Sequence, residues 1–358
     1  MLSPRDTVRN LPTYHPPLDG RTGLRLDFNE NTVGCSPRVL ARMRSIDFEE
    51  LARYPEREPV EAIVAGHLGT KPEELLLTNG VDEAIHLLAE TYLEPRDEVL
   101  LVVPTFSMYE IFAAATAARI TKVPAESDFS FPTAAILRRV TPATRLIAIA
   151  NPNNPTGSAA PIDDLLRLAE CAPDAAFLVD EAYFEFHGET LLGQWNERPN
   201  IFVARTFSKA YGLAGLRAGM LTGDTHQLSA VRRVASPYNV NSVALACMPE
   251  AMADAEYVRE YVAQVCEGRE RLQRELKSLG IRFWPSRANF VLLRLGALHS
   301  AFISRMRERG ILVRDRSRDP GCEGCVRITL GSSEQTDRLL SALRETLQEI
   351  GALREKVQ

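Results

Sequence analysis

The stretch Asn200-Ile-Phe-Val-Ala-Arg-Thr206-Phe-Ser-Lys209-Ala-Tyr-Gly-Leu-Ala-Gly-Leu-Arg217 carries two messages at once. Ile201 to Ala204 is a short apolar run of the kind that forms a buried strand. Hydroxyls at Thr206 and Ser208, a lysine at Lys209 and an arginine at Arg217 follow it. A lysine on a strand-to-loop exit, crowded by hydroxyls and a second cation, is placed to lose its proton and attack a carbonyl.

The same arrangement recurs on both sides. Leu75-Leu-Leu-Thr78 reads as a strand and is followed by Val81, Ala84, Ile85 and Leu88 at helical spacing. Glu98 to Val103, Leu146 to Ala150 and Ala176 to Val179 are further buried-strand candidates, each ending at a polar cluster. Strands alternating with helical patterns predict a doubly wound α/β domain with a mostly parallel sheet, assigned to residues 29–255. A long charged helix from about Ala251 to Gly280 leads out of it. Phe290 to Leu293, Ile311 to Val313 and Val326 to Leu330 then read as strands, and Ser332 with Gln335 opens a final helix in capping-box spacing. These predict a smaller α+β domain made of residues 1–28 and 256–358.

Composition excludes several classes. At 358 residues, 45% hydrophobic and 25% charged, the chain matches a globular protein with a sizeable core. A net charge of -5 with scattered basic residues argues against a nucleic-acid partner. No apolar run reaches the ~18 residues of a membrane span, and Met1 to Asn10 has no apolar signal region, so the sequence reads as cytoplasmic with no membrane partner. Cysteines at 35, 171, 247, 266, 322 and 325 do not resemble a disulfide framework, and the six histidines are isolated. Cys322-Glu-Gly-Cys325 is one local pair whose spacing suits half a zinc site or a redox couple, but no second ligand pair accompanies it, and it reads as an incidental loop pair with no metal.

Chemistry constrains the clusters at the strand ends, where ligands gather in open α/β sheets. Gly80, Val81 and Asp82 sit where a helix begins, so backbone N–H groups and the positive end of the helix dipole face an anion. Thr206, Ser208 and Arg217 complete a cup for a phosphomonoester. Asp180 follows an apolar strand, an awkward place for a carboxylate unless it meets a cation such as a protonated pyridine nitrogen. Tyr183 and Asn154 can hydrogen-bond a ring hydroxyl, and Phe106 can stack on a ring face. With Lys209 as a Schiff-base lysine, this is the arrangement pyridoxal phosphate requires. Taken singly, Asp180 is equally a helix cap, Phe106 and Tyr183 core aromatics, and Asn151 to Gly157 a turn-rich loop.

Taken in order, Asn153-Asn-Pro-Thr-Gly157, Asp180-Glu-Ala-Tyr183 and Ser208-Lys-Ala-Tyr-Gly-Leu-Ala-Gly-Leu-Arg217 resemble the fold-type I pyridoxal-phosphate aminotransferases, within them the histidinol-phosphate aminotransferase branch. Asp27-Phe-Asn-Glu-Asn31, Arg53-Tyr-Pro55, Thr78 to Glu83, Pro104 to Tyr109, Pro237 to Asn241, Ala288 to Val291, Ile311 to Arg316 and Val326 to Gly331 extend the resemblance over nearly the whole chain.

The resemblance implies that Lys209 forms the Schiff base, Asp180 meets the pyridine nitrogen, Asn154 and Tyr183 meet the ring hydroxyl and Phe106 stacks on the ring. Gly80, Val81, Asp82, Thr206, Ser208 and Arg217 would hold the phosphate, with Tyr54 reaching the phosphate of a neighbouring subunit in a homodimer. Arg327 would pair with the substrate carboxylate, Arg314 and Tyr14 would contact the phosphate end of histidinol phosphate, and Asn154 would also bind substrate. The implied reaction, in histidine biosynthesis, is L-histidinol phosphate plus 2-oxoglutarate giving imidazole acetol phosphate and L-glutamate. Many relatives carry a proline and an aromatic where this chain has Thr32-Val33. Aromatic amino-acid transamination, threonine-phosphate decarboxylation and a non-catalytic binding or regulatory protein of the same fold stay open at this point.

Overall fold

Alternation inside the apolar runs explains the layering. In the strand Thr144–Ala150, Leu146, Ala148 and Ala150 belong to one apolar cluster and Ile147 and Ile149 to another, because successive side chains on a strand point to opposite faces. The computed structural model describes residues 2–353 except 12, 14 and 19. Its strands are, in chain order, β1 (Leu24–Leu26), β2 (Leu75–Thr78), β3 (Glu98–Val103), β4 (Arg119–Pro124), β5 (Thr144–Ala150), β6 (Ala176–Asp180), β7 (Ile201–Thr206), β8 (Gly219–Gly223), β9 (Arg282–Trp284), β10 (Phe290–Arg294), β11 (Ile311–Asp315) and β12 (Cys325–Thr329).

β2 to β8 form a seven-stranded sheet in the order β2-β8-β7-β6-β5-β3-β4. From β4 to β7 neighbouring strands are parallel, while β8 runs antiparallel to β7 and β2. Helices Gly80–Tyr92, Met108–Ala115 and Thr225–Arg232 cover one face and Ile162–Cys171 the other. Helix Gly80–Tyr92 buries Val81, Ala84, Ile85 and Leu88, with Ile85 and Leu88 each contributing about 1.5–3 kcal/mol. The mostly parallel, doubly covered sheet is the architecture expected from the sequence.

A second sheet, ordered β1-β11-β12-β10-β9, is antiparallel except where β1 lies parallel to β11. Helices Ala255–Ser278, His299–Glu308 and Ser333–Glu349 pack on it through Val258, Leu272, Phe302 and Leu343. The last helix opens as expected: Gln335 N–H donates to Ser332 Oγ at 3.3 Å, and Ser332 N–H to Gln335 Oε1 at 2.9 Å.

Two differences from the sequence reading have physical causes. The long helix expected from about Ala251 is two helices, Ser242–Ala253 and Ala255–Ser278, broken at Asp254 (ψ 55), a residue type that favours helix starts. β1, β4, β8 and β9 give no apolar run to read: β4 is an edge strand carrying Arg119 and Lys122, and β8 begins and ends in glycine. Among the described residues no helix is long and apolar enough to cross a membrane. In the large sheet the strand order reverses between β3 and β5, with β4 on one side of β3 and β5, β6 and β7 following on the other, and at such a switch point the loops diverge and leave a crevice.

Candidate active site

The crevice is a cavity of about 580 Å³ above the carboxyl ends of β5, β6 and β7, lined by residues of both sheets' connecting segments. Lys209 lies three residues beyond the end of β7, and its Nζ donates to the Phe28 carbonyl at 3.2 Å. Burial, reinforced by the nearby Arg327 guanidinium, lowers its pKa to about 8. Much of the amine is therefore uncharged under mildly alkaline conditions, as a nucleophilic lysine requires.

Asp180 ends β6. Its Oδ1 accepts the Ala182 N–H at 3.0 Å and its Oδ2 accepts the Tyr109 hydroxyl at 2.5 Å. Burial pushes its pKa up to about 6, and among the described residues no cation pairs with it. A buried carboxylate held this way suits a cationic ring nitrogen. Tyr109 itself is pushed well above 10 by burial and by Asp180, so it stays a donor. Phe106 lies edge-on to Tyr109, ring centroids 5.8 Å apart at 86°.

On the side of the cavity lined by Val81 and Asp82, helix Gly80–Tyr92 starts at Asn79 without a side-chain cap, leaving its first N–H groups available. Gly80 has φ +76, and a Cβ there would come within 2.7 Å of Arg217 Nη2. Arg217 Nη2 also bonds Asp82 Oδ2 at 2.9 Å. Gly219 of β8 presses against the same turn: a Cβ there would sit 2.7 Å from the Gly80 carbonyl carbon. Thr206 and Ser208 line the cavity beside Arg217, and the Ser208 N–H donates to Thr206 Oγ1 at 3.1 Å.

The small sheet stands behind Phe28 and Asn154, which line the cavity. Arg327 is 4% exposed; it donates through Nη1 to Asn154 Oδ1 and through Nη2 to the Asp27 carbonyl at 2.9 Å. The β11–β12 register sets Arg314 opposite Arg327, and the Arg314 guanidinium lies 4.7 Å from the Phe28 ring centroid. Arg314 Nη1 and Arg327 Nε are buried without a partner among the described residues. Burial and Arg316 lower Arg327 to about 9, which leaves it charged at neutral pH. Arg316 is itself paired with Asp319 at 2.5 Å. Unspent guanidinium donors in a dry site call for an anion.

Val81, Asp82, Phe106, Asn154, Asp180, Tyr183, Thr206, Ser208, Lys209 and Arg217 therefore share one cavity, with Gly80 directly behind the Arg217 guanidinium. Arg327 joins them through Asn154, and Arg314 stands behind Phe28. Tyr54 does not join them: it is 78% exposed, stacks on Tyr238 at 4.3 Å and lines a separate groove. Tyr14 lies outside the described residues. Tyr109, Phe28 and Asn29 escape sequence reasoning. Only the three-residue spacing from Phe106 hints that Tyr109 returns to the same side of a helix start. Cys322 and Cys325 are buried with Phe129, Trp284 and Leu292, and among the described residues no three His, Cys, Asp or Glu side chains gather as metal ligands.

Residues 21–343 match the family model described as aminotransferase class I and II. The chain belongs to this family of enzymes. Among its relatives, this aminotransferase is 35% identical over 326 residues to the histidinol-phosphate aminotransferase of Dehalococcoides mccartyi strain CBDB1, covering 90% of each chain. It is 36% identical over 333 residues to that of Roseiflexus castenholzii, covering 90% of this chain and 89% of the relative. The crystal structure of histidinol-phosphate aminotransferase from Sinorhizobium meliloti in complex with pyridoxal-5'-phosphate matches with a TM-score of 0.87 at 26% identity, covering 97% of this chain and 98% of that one. In the present aminotransferase the uncapped helix start beside Arg217, the buried Asp180 and the low-pKa Lys209 fit the phosphate, ring nitrogen and aldehyde of pyridoxal phosphate.

Proposed function

We propose that this aminotransferase holds pyridoxal phosphate on Lys209 and transfers the amino group of L-histidinol phosphate to 2-oxoglutarate, giving imidazole acetol phosphate and L-glutamate, a step of histidine biosynthesis. The observation that carries the substrate reading is the pair Arg314 and Arg327, set opposite each other in the β11–β12 register with buried guanidinium donors left over. Such a pair suits a substrate that brings a carboxylate in one half-reaction and a phosphate in the other. The names of relatives at 35–36% identity point the same way.

When bound, pyridoxal phosphate supplies an aldehyde that takes up the amino group and a ring that stores the electron pair left on the substrate's α-carbon. Asp180 keeps a proton on the ring nitrogen, its own carboxylate steadied by Tyr109 and the Ala182 N–H. Tyr183 and Asn154 address the ring hydroxyl, and Phe106 covers a ring face. Gly80, Val81, Asp82, Thr206, Ser208 and Arg217 hold the phosphate. Once an incoming amine has displaced Lys209, its free Nζ would be the base that lifts the substrate's α-proton and hands it back on the far side of the amino nitrogen. Arg327 orients the glutamate carboxylate, and Arg314 with Tyr14 takes the phosphate of histidinol phosphate.

The protein acts as a homodimer in this reading. Support comes from the exposed Phe48, Leu51, Tyr54 and Tyr238, large apolar side chains at 78%, 60%, 78% and 54% exposure, a density that marks an interface, and from Tyr54 standing outside its own subunit's cavity. Residues 29–255 form the large domain, and 1–28 with 256–358 the small one. The test supplies the protein and pyridoxal phosphate with L-histidinol phosphate and 2-oxoglutarate. Stoichiometric glutamate supports the proposal; turnover only of aromatic amino acids, or carbon dioxide from L-threonine phosphate, overturns its substrate.

A further inference from the structure

Tyr183 meets more than the cavity. Its hydroxyl accepts a hydrogen bond from Asn29 Nδ2 at 2.9 Å. Asn29 lies three residues beyond β1, is 1% exposed and has φ 56, a left-handed conformation that asparagine tolerates better than most residues. The orientation of its amide is dictated. Thr329 Oγ1 on β12 accepts the Asn29 backbone N–H at 3.1 Å, which leaves the single Thr329 hydroxyl proton for Asn29 Oδ1, 3.0 Å away. With Oδ1 accepting, the NH₂ end faces Tyr183. Asn289 Nδ2 closes the cage by donating to the Asn29 carbonyl at 3.1 Å.

A phenol has one proton to give. Because Asn29 fills a lone pair of the Tyr183 oxygen, that proton must point elsewhere, and the cavity is where the hydroxyl has no other partner among the described residues. We infer that Asn29 is a positioning residue, relayed from Thr329, that obliges Tyr183 to donate to the cofactor's ring oxygen. The inference rests on the pyridoxal-phosphate reading above. It also ties the small sheet, through Thr329, to a residue that follows β6 of the large sheet.

The test reads the pH midpoint of the visible absorbance that pyridoxal phosphate acquires on the protein, a spectroscopic quantity independent of turnover. Arg327 and Arg316 from the small sheet and Asp180 from β6 face Tyr183, while Arg327, Glu30, Arg217 and Asp82 face Lys209; all stay in place in the variants. Tyr183→Phe removes the donor and raises the midpoint. Asn29→Asp keeps shape and backbone preference but offers an acceptor, so Tyr183 turns its proton toward it, and the midpoint rises by about one unit, a tenfold change. Asn29→Gly, which accepts the left-handed backbone, raises it less. In the double variant Asn29→Asp/Tyr183→Phe the midpoint stays at that of Tyr183→Phe alone. An Asn29→Asp shift of equal size with and without Tyr183 overturns the inference, because it then reflects the added charge alone. So does an unmoved midpoint in both Asn29 variants when Tyr183→Phe raises it. An unmoved midpoint in Tyr183→Phe overturns the placement of Tyr183 on the ring oxygen, and the inference with it.

Discussion

Gly80→Ala tests the phosphate cup with a single methyl group. Gly80 sits at φ +76, and its new Cβ would lie 2.7 Å from Arg217 Nη2 and 3.3 Å from Arg217 Cζ. The left-handed backbone costs about 1–2 kcal/mol for a non-glycine residue, and this lowers the stability of the apoprotein directly. The clash falls on the far end of a flexible side chain, so Arg217 swings away and the fold survives. Its bond to Asp82 Oδ2 at 2.9 Å is lost, and so is the charged hydrogen bond proposed to the phosphate, worth about 1.5–3 kcal/mol. That is a weakening of roughly ten- to a hundredfold in Kd for pyridoxal phosphate. Titration of apoprotein with the cofactor, followed by quenching of intrinsic fluorescence, measures the Kd, and urea unfolding of the apoprotein measures the backbone cost. A Kd within about twofold of wild type, alongside a large loss in Arg217→Ala, would refute the argument that Gly80 makes room for the guanidinium at the phosphate.

Other outcomes follow from the same geometry. Tyr109→Phe deprives the Asp180 carboxylate of its 2.5 Å donor. Asp180 already has its folded pKa raised above 3.8 to about 6, so the native state holds the extra proton between those values and stability falls as pH rises through them. The variant extends that fall upward, and its apoprotein should lose about 1.5–3 kcal/mol at pH 7 but much less at pH 4, as urea midpoints would show. Lys209 reacts as the neutral amine, so the rate at which apoprotein couples to pyridoxal phosphate should climb with pH to a midpoint near about 8 rather than 10.5; a rate still rising steeply at pH 10 would contradict the assigned burial. Arg205 and Glu181 are a buried pair at 2.9 Å, with Thr190 bonded to both. Arg205→Met strands the Glu181 carboxylate and should cost about 3–5 kcal/mol, visible in thermal unfolding; a loss under 1 kcal/mol would show that the pair is not dry.

The candidate site was legible in the sequence wherever a cavity-lining residue ends an apolar strand. Asp180 and Thr206 terminate β6 and β7, and Lys209 follows at a fixed short distance, so composition and order alone place them on one rim. The helix start at Gly80 was legible for the same reason. Partnerships closed only by the tertiary fold were not. Asn29 and Tyr183 are 154 residues apart, Tyr109 and Asp180 71, and Arg327 and Asn154 173. No periodicity within one element reports such pairs. The small sheet was read only in part because β1 and β9 are three residues long, too short for a two-residue alternation to register. β8 was hidden by Gly219, whose missing side chain is what lets β8 approach the Gly80 turn.

Every role proposed above depends on Lys209 holding the cofactor. The chain has five lysines, Lys71, Lys122, Lys209, Lys277 and Lys356, which makes a peptide map unambiguous. Pyridoxal phosphate is added to the apoprotein, the bond is fixed by borohydride reduction, and the tryptic peptides are weighed. One phosphopyridoxyl group per chain is expected on Lys209, absent from Lys209→Ala. A label spread over the other lysines, or unchanged in Lys209→Ala, would contradict it.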